Sequence, residues 1–119
     1  MRITFRLGEL FCGPGGIALG ARMASETNNP TNYRISHVWA TDYDKDTCKT
    51  YSQNICGKEH SKTVIHEDIR TLDIKKLEKI SNIDALAFGF PCNDFSIVGE
   101  QKGIDGVFGP LYQYGINLL

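Results

Sequence analysis

The sequence predicts an α/β domain built on a parallel sheet, and three observations carry that prediction. Short apolar runs with the length of buried strands alternate with segments of helical apolar spacing. The first run ends in a glycine turn, Cys12-Gly13-Pro14-Gly15-Gly16, which opens a helix as nucleotide-binding βα units do. The fourth run stops at Gly89 and Pro91, with Cys92 in the loop beyond it. Right-handed crossovers put the strands in the order 3-2-1-4. Strands one and four then flank the switch point, and the glycine turn lies beside the Cys92 loop.

Taken in order, Ile3 to Phe11 forms the first strand through Ile3, Phe5, Leu7 and Leu10-Phe11. Ile17, Gly20, Ala21 and Ala24 recur at helical spacing and predict a small-residue face turned to the sheet. Ser25 to Asn32 reads as a polar loop broken at Asn28-Asn29-Pro30. The second strand, Tyr33 to Ala40, closes on Thr41-Asp42 and leaves His37 as a strand residue facing out. Asp44 to about Cys56 is an amphipathic helix with Cys48, Tyr51 and Ile55 at i, i+3 and i+7, so Cys48 is core. Thr63 to His66 is a short third strand closing on Glu67-Asp68-Ile69. Asp73 caps a third helix with Ile74, Leu77 and Ile80 inward; Lys75, Lys76 and Lys79 read as its solvated face. Ile83 to Phe88 is the fourth strand, and a last helix begins at Pro110.

Composition narrows the class. A chain of 119 residues, 41% hydrophobic and 23% charged, is an ordinary globular domain or part of a larger one. Its net charge of -1 is not the basic footprint of a chain that grips nucleic acid unaided. No run approaches the roughly eighteen apolar residues of a membrane span, and the start lacks a signal-peptide core, so the reading is no membrane and a cytoplasmic protein. The four cysteines lack paired spacing and are read as reduced thiols.

Chemistry concentrates at the carboxyl ends of the strands. Cys92 is either a nucleophile, which requires a thiolate, or one more free, partly buried cysteine. Asp42, at the end of the second strand and past the glycine turn, stands where a carboxylate holds a ribose hydroxyl pair. The alternative, an N-cap or solvated acid, suits Asp44 better. Asp68 is a third carboxyl-end residue near the same cleft, or a plain loop carboxylate. The Gly13-x-Gly15-Gly16 spacing and the adjacent nucleophile favour S-adenosylmethionine over a dinucleotide, with the methionine carboxylate at the helix N-terminus.

Four stretches in order carry a family resemblance: Leu10-Phe11-Cys12-Gly13-Pro14-Gly15-Gly16, Thr41-Asp42-Tyr43-Asp44, Glu67-Asp68-Ile69, and Gly89-Phe90-Pro91-Cys92-Asn93-Asp94-Phe95-Ser96. The chain resembles the DNA cytosine-5 methyltransferases over nearly its whole length. Asn93-Asp94 replaces the glutamine-containing form common in bacterial members. The resemblance implies a Rossmann-like S-adenosylmethionine-dependent methyltransferase fold, truncated, with residues 1–119 as the N-terminal portion of one catalytic domain and the target-recognition region absent. It implies cofactor contacts from Phe11, Gly13, Gly15 and Gly16 to methionine and ribose, from Asp42 to the ribose hydroxyls, and from Tyr43, Asp68 and Ile69 to adenine. Cys92 would be the thiolate that adds to C6 of a cytosine flipped from double-stranded DNA. Pro91, Asn93, Ser96 and Lys102 fall on the substrate side.

Ser96 to Phe108 resembles the family's mobile loop, with Lys102 its only basic residue and Phe108 where many members carry arginine. The family's later motifs do not follow, so a C-terminal region or a second chain is expected to complete the enzyme. Two other readings stand beside this one, a tRNA-directed relative with the same chemistry and a non-catalytic S-adenosylmethionine-binding fragment. A NAD-binding domain is disfavoured by the Pro91-Cys92 loop.

Overall fold

A computed structural model of the chain describes residues 3–27, 33–56, 63–80, 82–90 and 111–118. In chain order the elements are β1 (Ile3–Leu10), α1 (Gly16–Thr27), β2 (Tyr33–Asp42), α2 (Lys45–Tyr51) running into a π-helical turn (Ser52–Cys56), β3 (Val64–His66), α3 (Ile74–Ile80), β4 (Ala85–Phe88) and α4 (Tyr112–Leu118). The strands form one sheet in the order β3-β2-β1-β4, with every neighbouring pair parallel. The 3-2-1-4 order read from the alternation is therefore the observed one.

The strand lengths decide where the sheet is widest. β1 pairs with β2 from Ile3 onward but with β4 only over Leu7 to Leu10, and β3 meets β2 only over Ala40 to Asp42. All four strands therefore lie side by side only at the carboxyl edge. Burial follows: the first half of β1 is exposed and Leu7 to Leu10 is buried.

Alternate side chains feed two cores, one on each face of the sheet. Leu10 and Trp39 pack with Ile69, Leu72, Leu77 and Leu111. Cys12, Ala18, Ala40 and Tyr51 pack on the α1 and α2 side. The first core depends on a missing side chain. A Cβ on Gly8 would lie 2.4 Å from the Trp39 ring, so the indole of β2 crosses β1 where β1 has only backbone. The register between the two strands shifts there, between Leu7 and Gly8.

Several elements differ from the sequence expectation. The inward residue of α1 is Ala18, while Ile17, Gly20 and Ala24 face solvent. The start of the helix sets that rotation: Gly15, at φ +111, is seated against Ile55 and Tyr51, and its carbonyl takes the Leu19 N–H at 2.8 Å. The turn thus brings Ala18 round to the sheet. α1 also continues through Ser25 to Thr27, where a loop is expected, because the Ser25 hydroxyl bonds back to the Ala21 carbonyl and accepts the Ile35 N–H. His37 does not face out. Its Nε2 is buried without a partner among the described residues, and burial lowers its pKa. Ile80 is 38% exposed rather than inward, one turn past the buried Leu77. β4 begins at Ala85, two residues late, because Asp84 is held by Arg6 through both its N–H and its carboxylate.

Candidate cofactor site

The cleft at the carboxyl edge is lined by Phe11, Thr41, Asp42, Tyr43, Glu67, Asp68, Ile69, Arg70 and Leu111. Its floor is stitched by backbone bonds between neighbouring strand ends. The Cys12 N–H donates to the Thr41 carbonyl and the Glu67 N–H to the Asp42 carbonyl, each at 3.0 Å. Parallel register brings these ends level, since Leu10 pairs with Thr41 and Asp42 with His66.

Leaving β1, the chain turns sharply. Phe11 has φ +52 and Gly13 φ +57, left-handed values that cost a side-chain-bearing residue about 1 kcal/mol or more. Phe11 takes that strain and places its ring in the cleft wall. A Cβ on Gly13 would meet nothing within 4 Å, so the turn leaves open space on that side. Gly15 is different: a Cβ there would strike Ile55 at 2.7 Å, which makes it a packing glycine. Gly16 opens α1 and also faces open space.

Asp42 ends β2 and uses both oxygens on backbone. Oδ2 accepts the Gly13 N–H and Oδ1 the Asp44 N–H, each at 3.0 Å. Asp44 in turn caps α2 by accepting the Thr47 N–H at 2.9 Å; the Thr47 hydroxyl donates to the same oxygen, and that bond, with the N–H, holds the Asp44 carboxyl below the usual range. The N-cap is therefore Asp44, as expected, and Asp42 is left at the glycine turn. Tyr43, between them, is 64% exposed, with its carbonyl 3.0 Å from His66 Nε2, an arrangement that needs the proton on that nitrogen. On the opposite wall Asp68 is gripped by Arg70, and Ile69 turns into the core at 8% exposure.

The structure thus brings together Phe11, Asp42, Tyr43, Asp68 and Ile69 in one cleft, with Gly13 tied to it through Asp42. Pro91, Cys92, Asn93, Ser96 and Lys102 lie outside the described residues, as does Pro110. The pairing of Leu10 with Phe88 aligns the two strands that precede the glycine turn and the Cys92 loop.

Three features were not legible as site residues. Arg70 carries a signal in hindsight, since a cation two residues after a turn aspartate can fork back onto it. Leu111 comes from distant sequence and has none. Glu9 stands out as a charge in an apolar run. It is 1% exposed, accepts the Tyr51 hydroxyl at 3.4 Å on Oε1, and has no partner for Oε2 among the described residues. Burial pushes its carboxyl up to about 7. Burial likewise raises the thiols of Cys12, Cys48 and Cys56, which disfavours a thiolate at each.

A parallel 3-2-1-4 sheet with a glycine turn and two carboxylates at its carboxyl edge is a nucleotide-cofactor architecture, and solved structures that match it are methyltransferases. Two solved structures share the fold: a DNA modification methyltransferase encoded within an E. coli prophage (TM-score 0.58, 25% identity, 82% of this chain and 25% of that one), and the S. pombe Dnmt2 methyltransferase (TM-score 0.60, 21% identity, 98% and 30%). The profile of the C-5 cytosine-specific DNA methylases matches residues 5–119, and the chain belongs to that family. Among curated relatives it is 52% identical to the type II methyltransferase M.BbvI of Brevibacillus brevis over 98% of its length, and 37% identical to M.Bsp6I of a Bacillus species over 84%. It spans 32% and 27% of their lengths, respectively. No helix among the described residues is long and apolar enough to cross a membrane.

Proposed function

We propose that this chain carries the cofactor site and nucleophile of a DNA cytosine-5 methyltransferase that transfers a methyl group from S-adenosylmethionine to C5 of cytosine. Residues 1–119 are then the N-terminal portion of one catalytic domain acting in the cytoplasm, with target recognition supplied by a C-terminal region or a second chain. The likeness to relatives named type II methyltransferases supports DNA as substrate and a role in restriction-modification.

The observation that carries the cofactor reading is the Asp42 carboxylate bonded to the glycine turn at the mouth of a cleft walled by Phe11, Ile69 and Leu111. Apolar walls suit a purine face, Asp68 offers an acceptor at its edge, and Asp42 retains acceptor capacity for ribose hydroxyls. The open side of Gly13 leaves room for the methionine portion near the start of α1. When bound, the cofactor supplies an electrophilic methyl group.

Resemblance to the family's Pro-Cys loop assigns this chain's own part in the chemistry to Cys92, and burial disfavours a thiolate at each of the three described cysteines. Its thiolate adds to C6 of the flipped base, which makes C5 enamine-like and able to accept the methyl group. Loss of the C5 proton to a base and expulsion of the thiolate restore the enzyme and leave 5-methylcytosine. Pro91, Asn93, Ser96 and Lys102 serve the base and its strand.

Calorimetric titration of the chain with S-adenosylmethionine, with NAD as control, tests the cofactor reading. Micromolar binding of S-adenosylmethionine alone is the expected result, and equal binding of NAD would overturn it.

A further inference from the structure

Arg70 lies in the cleft wall but belongs to none of the motifs that define the site. Its guanidinium forks onto Asp68: Nε lies 3.0 Å from Oδ1 and 3.2 Å from Oδ2, and Nη2 lies 2.6 Å from Oδ2. The Arg70 backbone N–H donates to Oδ1 at 2.9 Å. Behind the carboxylate, the Asp68 carbonyl accepts the Thr71 and Leu72 N–H groups at 3.0 and 3.1 Å, and Leu72 is core. Side chain and backbone of Asp68 are therefore both pinned.

This pair does little for folding. The two side chains are 54% and 34% exposed, where solvent screens an ion pair and its contribution to stability is small. What the fork does is orient an acceptor. A carboxylate offers about four lone-pair directions. Oδ1 already serves two donors, whereas Oδ2 takes one short bond from Nη2 and only the long arm of Nε, so the open direction is on Oδ2. That oxygen belongs to a residue lining the same cleft as the rings and chains of Phe11, Ile69 and Leu111.

Resting on the cofactor reading above, we propose that Arg70 is a positioning residue that makes this cleft select a 6-aminopurine over a 6-oxopurine, by presenting Asp68 Oδ2 to the exocyclic amine. A 6-oxo group in the same place would set a carbonyl oxygen against a fixed carboxylate, leaving an acceptor facing an acceptor. Sites built to bond a donor discriminate strongly against an analogue that lacks it. Without the guanidinium only the backbone N–H of residue 70 still holds Oδ1, so Oδ2 loses its fixed direction and the preference relaxes.

The test is titration of the chain and its Arg70→Ala and Arg70→Lys variants with S-adenosylhomocysteine and S-inosylhomocysteine, repeated between about pH 3 and 8. For the parent chain, binding of the adenosyl compound tenfold or more tighter than the inosyl compound is expected. In Arg70→Ala the ratio falls below about threefold, through loss of adenosyl affinity. Arg70→Lys, which keeps charge without the fork, recovers only part of it.

The pH profile separates positioning from general weakening. The Arg70 side-chain bonds, with its backbone N–H, hold the Asp68 carboxyl below its ordinary range, so the acid limb of adenosyl binding moves to higher pH in Arg70→Ala. Asp42, Glu67, Tyr43 and Tyr114 also face this region, and carboxyl NMR of Asp68 assigns the limb to it. An unchanged ratio in Arg70→Ala, or equal loss for both compounds, overturns the proposal while leaving the cofactor reading intact. Binding of neither compound by the parent chain overturns both.

Discussion

The carboxylate of Asp42 accepts the backbone N–H of Gly13 at 3.0 Å, joining the end of β2 to the turn that follows β1. With the Asp44 N–H on its other oxygen, it locks two loops that form the cleft. Asp42→Ala is therefore expected to do two things at once. Loss of two hydrogen bonds to a carboxylate costs on the order of 2 kcal/mol of stability, read by urea unfolding. Affinity for S-adenosylmethionine falls at least tenfold, read by calorimetry. Asp42→Asn keeps one acceptor oxygen and should lie between the two. Unchanged cofactor affinity in Asp42→Ala would sink the ribose assignment.

Gly8→Ala tests how the sheet accommodates Trp39. The added methyl group would lie 2.4 to 2.7 Å from the indole, and Trp39 is 3% exposed with nowhere to go. Overpacking of this kind costs about 1–3 kcal/mol. A thermal melt unaffected by Gly8→Ala would mean that the indole does not cross β1 as described.

Glu9 makes stability depend on pH. Its folded carboxyl is pushed up to about 7 by burial, against about 4.3 in an unfolded chain. Between those values the folded state holds a proton that the unfolded state has released, so stability falls as pH rises through the window. Its contribution is full below about pH 4 and lost above about pH 7, a difference on the order of 3–4 kcal/mol. Glu9→Gln keeps the shape and an acceptor for Tyr51 without ionising. Unfolding measured at pH 5 and pH 8 should show the drop in the parent chain and little of it in Glu9→Gln.

Cys92→Ser, made in the enzyme once complete, is expected to abolish transfer to DNA while leaving S-adenosylmethionine affinity within about twofold. A hydroxyl is far less ionised than a thiol at neutral pH and adds to C6 too slowly to sustain turnover. Residual methylation above about 1% of the parent rate would show that another group acts as nucleophile.

Local pattern carried most of the fold. Apolar runs, the glycine turn and the capping residue Asp44 place the strands and helices, because buried strands and helix starts each impose their own short-range composition. Strand order followed from the handedness of parallel crossovers, which leaves few topologies open. The acids at the cleft, Asp42 and Asp68, were legible for the same reason, since a parallel sheet gathers strand ends along one edge.

What tertiary structure decided was orientation and environment. The spacing of Ile17, Gly20, Ala21 and Ala24 marks a helix face, yet the contact of Gly15 with Ile55 rotates Ala18 inward instead. Glu9 and the Nε2 atom of the half-buried His37 lost solvent only when helices closed over their face of the sheet. Leu111 reached the cleft from far along the chain. The sequence by itself determined the class, the order of strands and which residue types gather at the carboxyl edge, because these follow from periodicity and chirality. Which side chains share that edge as partners, above all Arg70 with Asp68 and Gly13 with Asp42, depended on packing, because distances across loops are set by the elements that brace them.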